Sequence, residues 1–377
     1  MKSTRISAIA LTVALLAAVA FAQTPDEAFK RGLSQFGAGQ YEASIASFRQ
    51  YLGSYPNDSA AHFNIGLALY RLKRYSEAVT SFREAVRIKP DYDKAYVQLG
   101  NALDDLGSYN EAIAAYIKAT EINPQNAQAY YELAIAHNRQ KNYIASAQAY
   151  ERSLAINPQQ PDANYWLGMD YIELKRTADA RSAFERAIAQ GSRTGRAHYQ
   201  LAKIYRSDKR SADAINLLKQ AVQLKPDFAD AYNELGNAYN AGKLFTEAKA
   251  AFNEAIRLDP QWATPYLGLG NSFYNDGKYA ESVEPYKRAA ELDPKWETAQ
   301  IYLGDAYLNS GQYDLALRTF KAALALNAKD ADAIYGIGLV YVNQKNRALA
   351  EQQKIKLDVL DPDLAGKLQT KILAMKP

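Results

Sequence analysis

The stretch DKAYVQLGNALDDLGSYNEAIAAYIKATEINP, Asp93–Pro124, decides how the rest of the chain is read. Tyr96, Leu99 and Leu103 recur at helical spacing, Gly107 interrupts them, and a second helical run carrying Ala112 and Tyr116 ends at Pro124. The stretch reads as two short helices and a stop. Counting by 34 residues in both directions gives ten units, starting at 25, 59, 93, 127, 161, 195, 229, 263, 297 and 331, with no insertion. A period of this length marks an array in which each unit buries its apolar face on its neighbours. The 377 residues are therefore expected to form one continuous body rather than two or three domains.

Fixed positions within the unit carry the architecture. Position 8 is glycine or alanine throughout, as in Gly32, Gly66, Gly100, Ala134, Gly168 and Ala202. Glycine in mid-helix costs about 1 kcal/mol relative to alanine, so its recurrence at one place implies close helix approach. Position 20 is alanine or serine in every unit, as in Ser44, Ala112 and Ser146, and is expected to be the other half of that contact. Position 15 is always glycine or lysine, as in Gly107, Lys141, Lys175 and Gly277. Glycine suits a helix C-terminus, and lysine favours the negative end of the helix dipole. Position 32 is proline in eight units, which stops the second helix.

This pattern resembles the tetratricopeptide repeat. The family's large residue at position 4, leucine at 7, glycine or alanine at 8, tyrosine at 11, alanine at 20, aromatic at 24, alanine at 27 and proline at 32 appear in unit seven as Tyr232, Leu235, Gly236, Tyr239, Ala248, Phe252, Ala255 and Pro260. The resemblance implies an all-α, right-handed superhelical solenoid spanning residues 23–364, with a binding role rather than catalysis. Departures fall at the ends. Unit one has Arg31 at position 7 and Gln35 at 11, as an N-terminal cap would. Unit ten has Lys354 at 24, and Leu364, Leu368 and Ile372 beyond it predict a capping helix over 365–377. Unit five lacks its proline, so Gly191-Ser192-Arg193-Thr194-Gly195 is expected to be the most flexible joint.

Residues 1–22 read as a secretory signal peptide. Lys2 and Arg5 precede the apolar run Ile6–Val19, and Ala20-Phe21-Ala22 is a small-residue cleavage site. Position 23 is glutamine, not a lipoprotein cysteine, so the mature protein is expected in the periplasm or outside the cell, with no membrane span. Lys+Arg number 45 against 41 Asp+Glu, a net +4 that falls to +2 without Lys2 and Arg5. No basic block stands out, which argues against a nucleic-acid partner. The chain has no cysteine, which excludes disulfides and thiolate chemistry.

Catalytic and cofactor chemistry find little to work with. His62 and His198 fall at position 4 and His137 at 11, core slots that other units fill with tyrosine. They sit in separate units, and no metal or other cofactor is expected. GLGNSF at Gly268 lacks the strand-then-helix setting of a phosphate loop. Asp104 and Asp105 read as a solvated pair on a helix surface.

The candidate site is the other face of the first helices. Positions 2, 5, 9 and 12 lie about 130° around from the core positions at 3.6 residues per turn. The resemblance implies that this stripe lines a groove for a peptide or a folded protein. Phe63, Tyr70, Tyr131, Tyr165, Met169 and Tyr199 make its first part apolar and aromatic. Asn233, Asn237, Asn240 and Asn271 make the later part polar, with Tyr274 beside them. Asparagine donates and accepts at once, so such a series can hold a peptide backbone without reading its sequence. The carboxylate clamp of chaperone-binding members is absent, because Asn101 and Asn237 have Val97 and Asn233 where it needs lysine. The expected function is a non-catalytic protein- or peptide-binding scaffold. The alternatives are a structural or assembly subunit of a cell-envelope export or pilus apparatus and, more remotely, a carbohydrate-binding or enzyme-associated module.

Overall fold

The computed structural model describes residues 24–375. The expected signal peptide, residues 1–22, lies outside the described residues. Among these, all regular structure is helical: 21 helices, arranged as ten pairs and one further helix. In unit three the pair is Asp93–Asp105 and Tyr109–Ile122; in unit eight it is Ala263–Asn275 and Tyr279–Leu292. Nine first helices begin at position 1 of their unit. Unit six begins one residue later, at Arg196, because Gly195 takes the N-cap with φ 70°. A Cβ on Gly195 would stand 2.6 Å from the Ala221 carbonyl oxygen, so this position demands glycine for both space and backbone conformation. No described helix is long and apolar enough to cross a membrane.

The described chain divides into two compact units between Gln190 and Gly191, at the link where the proline is missing. Within each, a second helix packs on its own first helix and on the first helix of the next repeat.

The glycine at position 8 faces an aromatic ring, not the small residue at position 20. A Cβ on Gly100 would come within 2.5 Å of the Tyr116 ring, and one on Gly168 within 2.6 Å of Phe184. The ring at position 24 thus lies on bare backbone of the partner helix. Position 20 plays a different part, against the carbonyl of residue 8: Ser44 donates to the Gly32 oxygen at 2.8 Å, and Ser146 to the Ala134 oxygen at 2.9 Å. Small size at 20 clears the space and, where it is serine, the hydroxyl is satisfied in the core.

The lysines at position 15 also have a reason other than the helix dipole. Lys73, Lys141, Lys175, Lys209, Lys243 and Lys345 all have φ of 57–60°, the left-handed conformation that Gly39, Gly107, Gly277 and Gly311 adopt in the other units. Each closes its first helix by turning the chain, at a cost of roughly 1 kcal/mol for a side-chain-bearing residue.

Both ends depart from the repeat for physical reasons. In unit one, Arg31 donates to Ser47 Oγ at 3.1 Å and to Gln50 Oε1 at 2.6 Å, while Ser47 donates to Gln35 at 2.7 Å. A polar network therefore replaces the leucine and tyrosine of other units. At the other end the last helix is Pro362–Leu373, three residues ahead of the boundary drawn from the sequence. Pro362 starts this helix rather than merely ending the previous one, since a first-turn proline lacks only an N–H that would go unused. Asp361 caps it by accepting from the Leu364 N–H at 3.0 Å. Leu368 from this helix faces Gly338, the slot a position-24 ring fills elsewhere, which explains why unit ten can carry Lys354 at position 24.

Candidate functional site

The first helices present positions 5, 9 and 12, and the structure sorts the residues there into packed, partnered and unpartnered groups. The aromatics at position 5 are half-buried and belong partly to the core. Phe63 lies 5.8 Å from Phe82 and 5.0 Å from Tyr92, centroid to centroid. Tyr131 packs edge-on against Tyr150 at 5.6 Å, and Tyr165 lies 6.0 Å from Phe184 and 5.0 Å from Trp166. Met169 is half-buried one turn beyond Tyr165. Tyr199, in the second compact unit, packs on Phe228 at 5.0 Å and has Lys203 Nζ 5.4 Å from its ring centroid. Each ring keeps an exposed part while its other side closes the repeat.

The asparagines do not form one continuous series. Asn233 is 5% exposed, and its Oδ1 is buried without a donor, so it lies beneath the open face. Asn240 reaches the next repeat, donating to the Gly268 carbonyl at 3.2 Å. Asn271 is engaged from below, accepting from the Tyr286 hydroxyl at 2.7 Å. Asn237 is half-buried, and its side chain makes no hydrogen bond among the described residues. Position 9 explains the difference: the ring at position 24 beneath Asn271 is Tyr286, whereas beneath Asn237 it is Phe252, which has nothing to donate.

Of the two acids read as a solvated pair, Asp105 stays exposed and Asp104 is half-buried, and other first-helix carboxylates are also withdrawn from water. Tyr70 donates to Asp105 at 2.5 Å. Asp104 pairs with Arg139 at 2.7 Å, and burial raises its pKa against the lowering effect of that arginine. Asp170 is fully buried, accepts from Asn138 at 2.5 Å, and is pushed up to about 6 by burial. Asp305 is raised further, to about 7, by burial and by the Asp332 carboxylate. It lines a cavity of about 290 Å3 with Asn271, Tyr274, Asn275, Tyr286 and Tyr302. Of these residues, the sequence reading picked out Asn271 and Tyr274 and missed Asp305, Tyr286 and Tyr302. Tyr286 and Tyr302 occupy positions 24 and 6, outside the stripe considered. Asp305 lies in the stripe, but an isolated acid at position 9 draws attention only once its neighbours are known.

The histidines stay in the packing. His62 Nε2 lies 3.0 Å from the Pro56 carbonyl, while burial lowers the pKa of His137 and of His198. Among the described residues no group of three or more His, Asp or Glu side chains is placed to hold a metal ion.

Paired helices in tandem, seven of them with a position-8 glycine beneath a position-24 ring, define an α-helical repeat protein. The sequence pattern of the tetratricopeptide repeat matches residues 29–93, 97–161 and 137–204, and that of the TPR repeat matches overlapping segments from 202 to 345. The chain belongs to the tetratricopeptide-repeat family. No curated protein matches it. Among solved structures it is similar to the C-terminal part of a TPR repeat-containing protein from Cytophaga hutchinsonii, at 16% identity over 64% of this chain and 99% of that one, with a TM-score of 0.54. It is also similar to YrrB, described as a TPR protein with an unusual peptide-binding site, at 26% identity over 50% of this chain and 99% of that one, with a TM-score of 0.45. PilF of Pseudomonas aeruginosa matches at 19% identity over 56% of this chain and 97% of its own, with a TM-score of 0.48.

Proposed function

We propose that the chain is a non-catalytic scaffold that holds a protein or peptide along the free face of its first helices, in the periplasm or outside the cell. The observation that carries this reading is the uneven satisfaction of that face. Asn101 and Asn271 are bound by tyrosines of their own units, yet the side chains of Asn237 and Asp305 at the same position have no hydrogen bond among the described residues. Polar groups held on a partly buried surface without partners cost free energy that a bound chain can offset. Half-exposed Tyr165, Met169 and Tyr199 add apolar contact. Localisation rests on the signal-like residues 1–22.

The test is photo-crosslinking in intact cells from residues 203 and 237, both at position 9 of first helices in the second compact unit, with exposed Asn253 on a second helix as the control. The reading predicts a common adduct from the first two positions and none from the third, and loss of that adduct in a Tyr199→Ala variant with unchanged helicity. Equal adducts from all three positions, or an adduct indifferent to Tyr199→Ala, contradict it.

A further inference from the structure

Units eight and nine enclose the 290 Å3 cavity with three tyrosine rings around one carboxylate. Tyr274 and Tyr286 lie edge to face at 6.5 Å, and Tyr286 and Tyr302 at 5.8 Å. Two of the rings are held by hydrogen bonds: Tyr286 donates to Asn271 at 2.7 Å, and the Tyr274 hydroxyl accepts from Asn309 Nδ2 at 2.9 Å. Tyr302 is 37% exposed and stands at position 6, where units eight and ten carry Gly268 and Gly336. In those units the glycine lets the preceding position-24 ring lie flush against backbone. Here the two rings meet edge to face and a hollow opens beside them.

The charge in the hollow is uncompensated. The Asp305 carboxylate has no hydrogen bond or ion pair among the described residues, and the charged group that acts on it is the Asp332 carboxylate, of the same sign. Of the three tyrosines around it, Tyr274 and Tyr286 are held protonated by burial, with Tyr274 pushed up to about 12. The helix beneath is also unusual: Pro285 sits inside Tyr279–Leu292, immediately before Tyr286. An interior proline costs roughly 3 kcal/mol, and locally unfavourable choices of this kind concentrate at functional sites.

We propose that this cavity receives the cationic end of a lysine or arginine side chain from a peptide lying along the first-helix face. The proposal rests on the scaffold reading and names the chemistry that one of its subsites selects. A cation gains from ring faces and restores charge balance to a partly desolvated carboxylate. An apolar side chain of the same length gains the ring contact alone and leaves Asp305 without a partner. An anionic one meets two carboxylates.

The test is calorimetric titration of the purified protein with an end-blocked alanine pentapeptide carrying lysine, arginine or norleucine at its centre. At about pH 8, where Asp305 is ionised, a cationic peptide is expected to bind about tenfold more tightly than the norleucine peptide. Asp305→Asn should remove that preference, and Tyr302→Ala, a change at an exposed ring, should weaken the cationic peptides about threefold. Equal binding of the lysine, arginine and norleucine peptides overturns the inference while leaving the scaffold reading intact. So does a preference that survives Asp305→Asn. Absence of saturable binding by the cationic peptides also overturns it, and the scaffold reading is then judged by crosslinking from residues 203 and 237.

Discussion

Units three and eight contain the same internal hydrogen bond in opposite surroundings. Tyr116 donates to Asn101 and Tyr286 donates to Asn271, each at 2.7 Å, and each ring lies over its own unit's glycine, Gly100 or Gly270. Around the first pair the acids are answered: Arg139, at position 13 of unit four, pairs with Asp104, and Tyr70 binds Asp105. Around the second, position 13 of the following unit is Asn309, which donates to the Tyr274 hydroxyl and to the Asp305 backbone carbonyl and leaves the Asp305 carboxylate without a partner among the described residues. The shared bond is therefore part of the repeat's construction, and the difference lies in one layer of residues above it. Architecture repeats; binding chemistry is set where the layer above departs.

The largest effect should be common to both units. Gly100→Leu and Gly270→Leu each drive a side chain into the position-24 ring and should each cost about 1–3 kcal/mol or more, read as a lowered midpoint in urea unfolding. Tolerance of leucine in one unit and not the other would break the structural half of the comparison.

A smaller effect should separate them. Asp305→Asn removes a carboxyl whose folded pKa is raised to about 7. Because the folded state holds that proton more tightly than the unfolded chain, the wild-type penalty is full above about pH 7 and disappears as pH falls towards the unfolded value of about 4. A shift of that size would be worth about 4 kcal/mol in a dry site, but the half-buried carboxylate is screened by water, so the variant should be more stable than wild type by about 1 kcal/mol at about pH 8, with the gap closing by about pH 4. Asp104→Asn should give little or no such gain, because it also removes the pairing with Arg139. Identical pH profiles for the two variants would erase the contrast.

The smallest effect concerns the turns. Lys243→Gly relieves a left-handed lysine with φ 57° and should raise stability by about 0.5 kcal/mol, after the greater chain entropy of glycine is set against the relief. A loss of stability would mean that the lysine side chain, rather than its backbone conformation, matters there.

How far these features can be read from sequence follows from how local they are. The 34-residue register, the two helices per unit and the terminal helix all rest on spacing within a few turns, and they are visible in Gly100, Gly107 and Pro124. Spacing shows that a helix comes close to Gly100, not which side chain of that helix it meets, so the Tyr116 ring is not distinguished in the sequence from the small residue at position 20. Lysine and glycine alternate at position 15 because both take the left-handed turn, and no pattern in a single chain distinguishes that from a dipole effect. The candidate site was legible only in outline. Asn233 and Asn271 share the stripe with Asn237, but their burial and partners depend on the ring at position 24 and on neighbouring helices. Asp305 becomes distinctive only against Arg139, and the two lie in repeats five units apart.

The most direct measurement of whether that one layer sets the binding chemistry is titration of the Asn309→Arg variant with the lysine pentapeptide. Arginine at 309 stands four residues after Asp305 on the same helix, a spacing at which opposite charges pair. It gives unit nine the cation that unit four has in Arg139. The account predicts that the variant folds as wild type does, while its affinity for the lysine peptide falls about tenfold to that of the norleucine peptide. Undiminished binding of the lysine peptide by Asn309→Arg would contradict it.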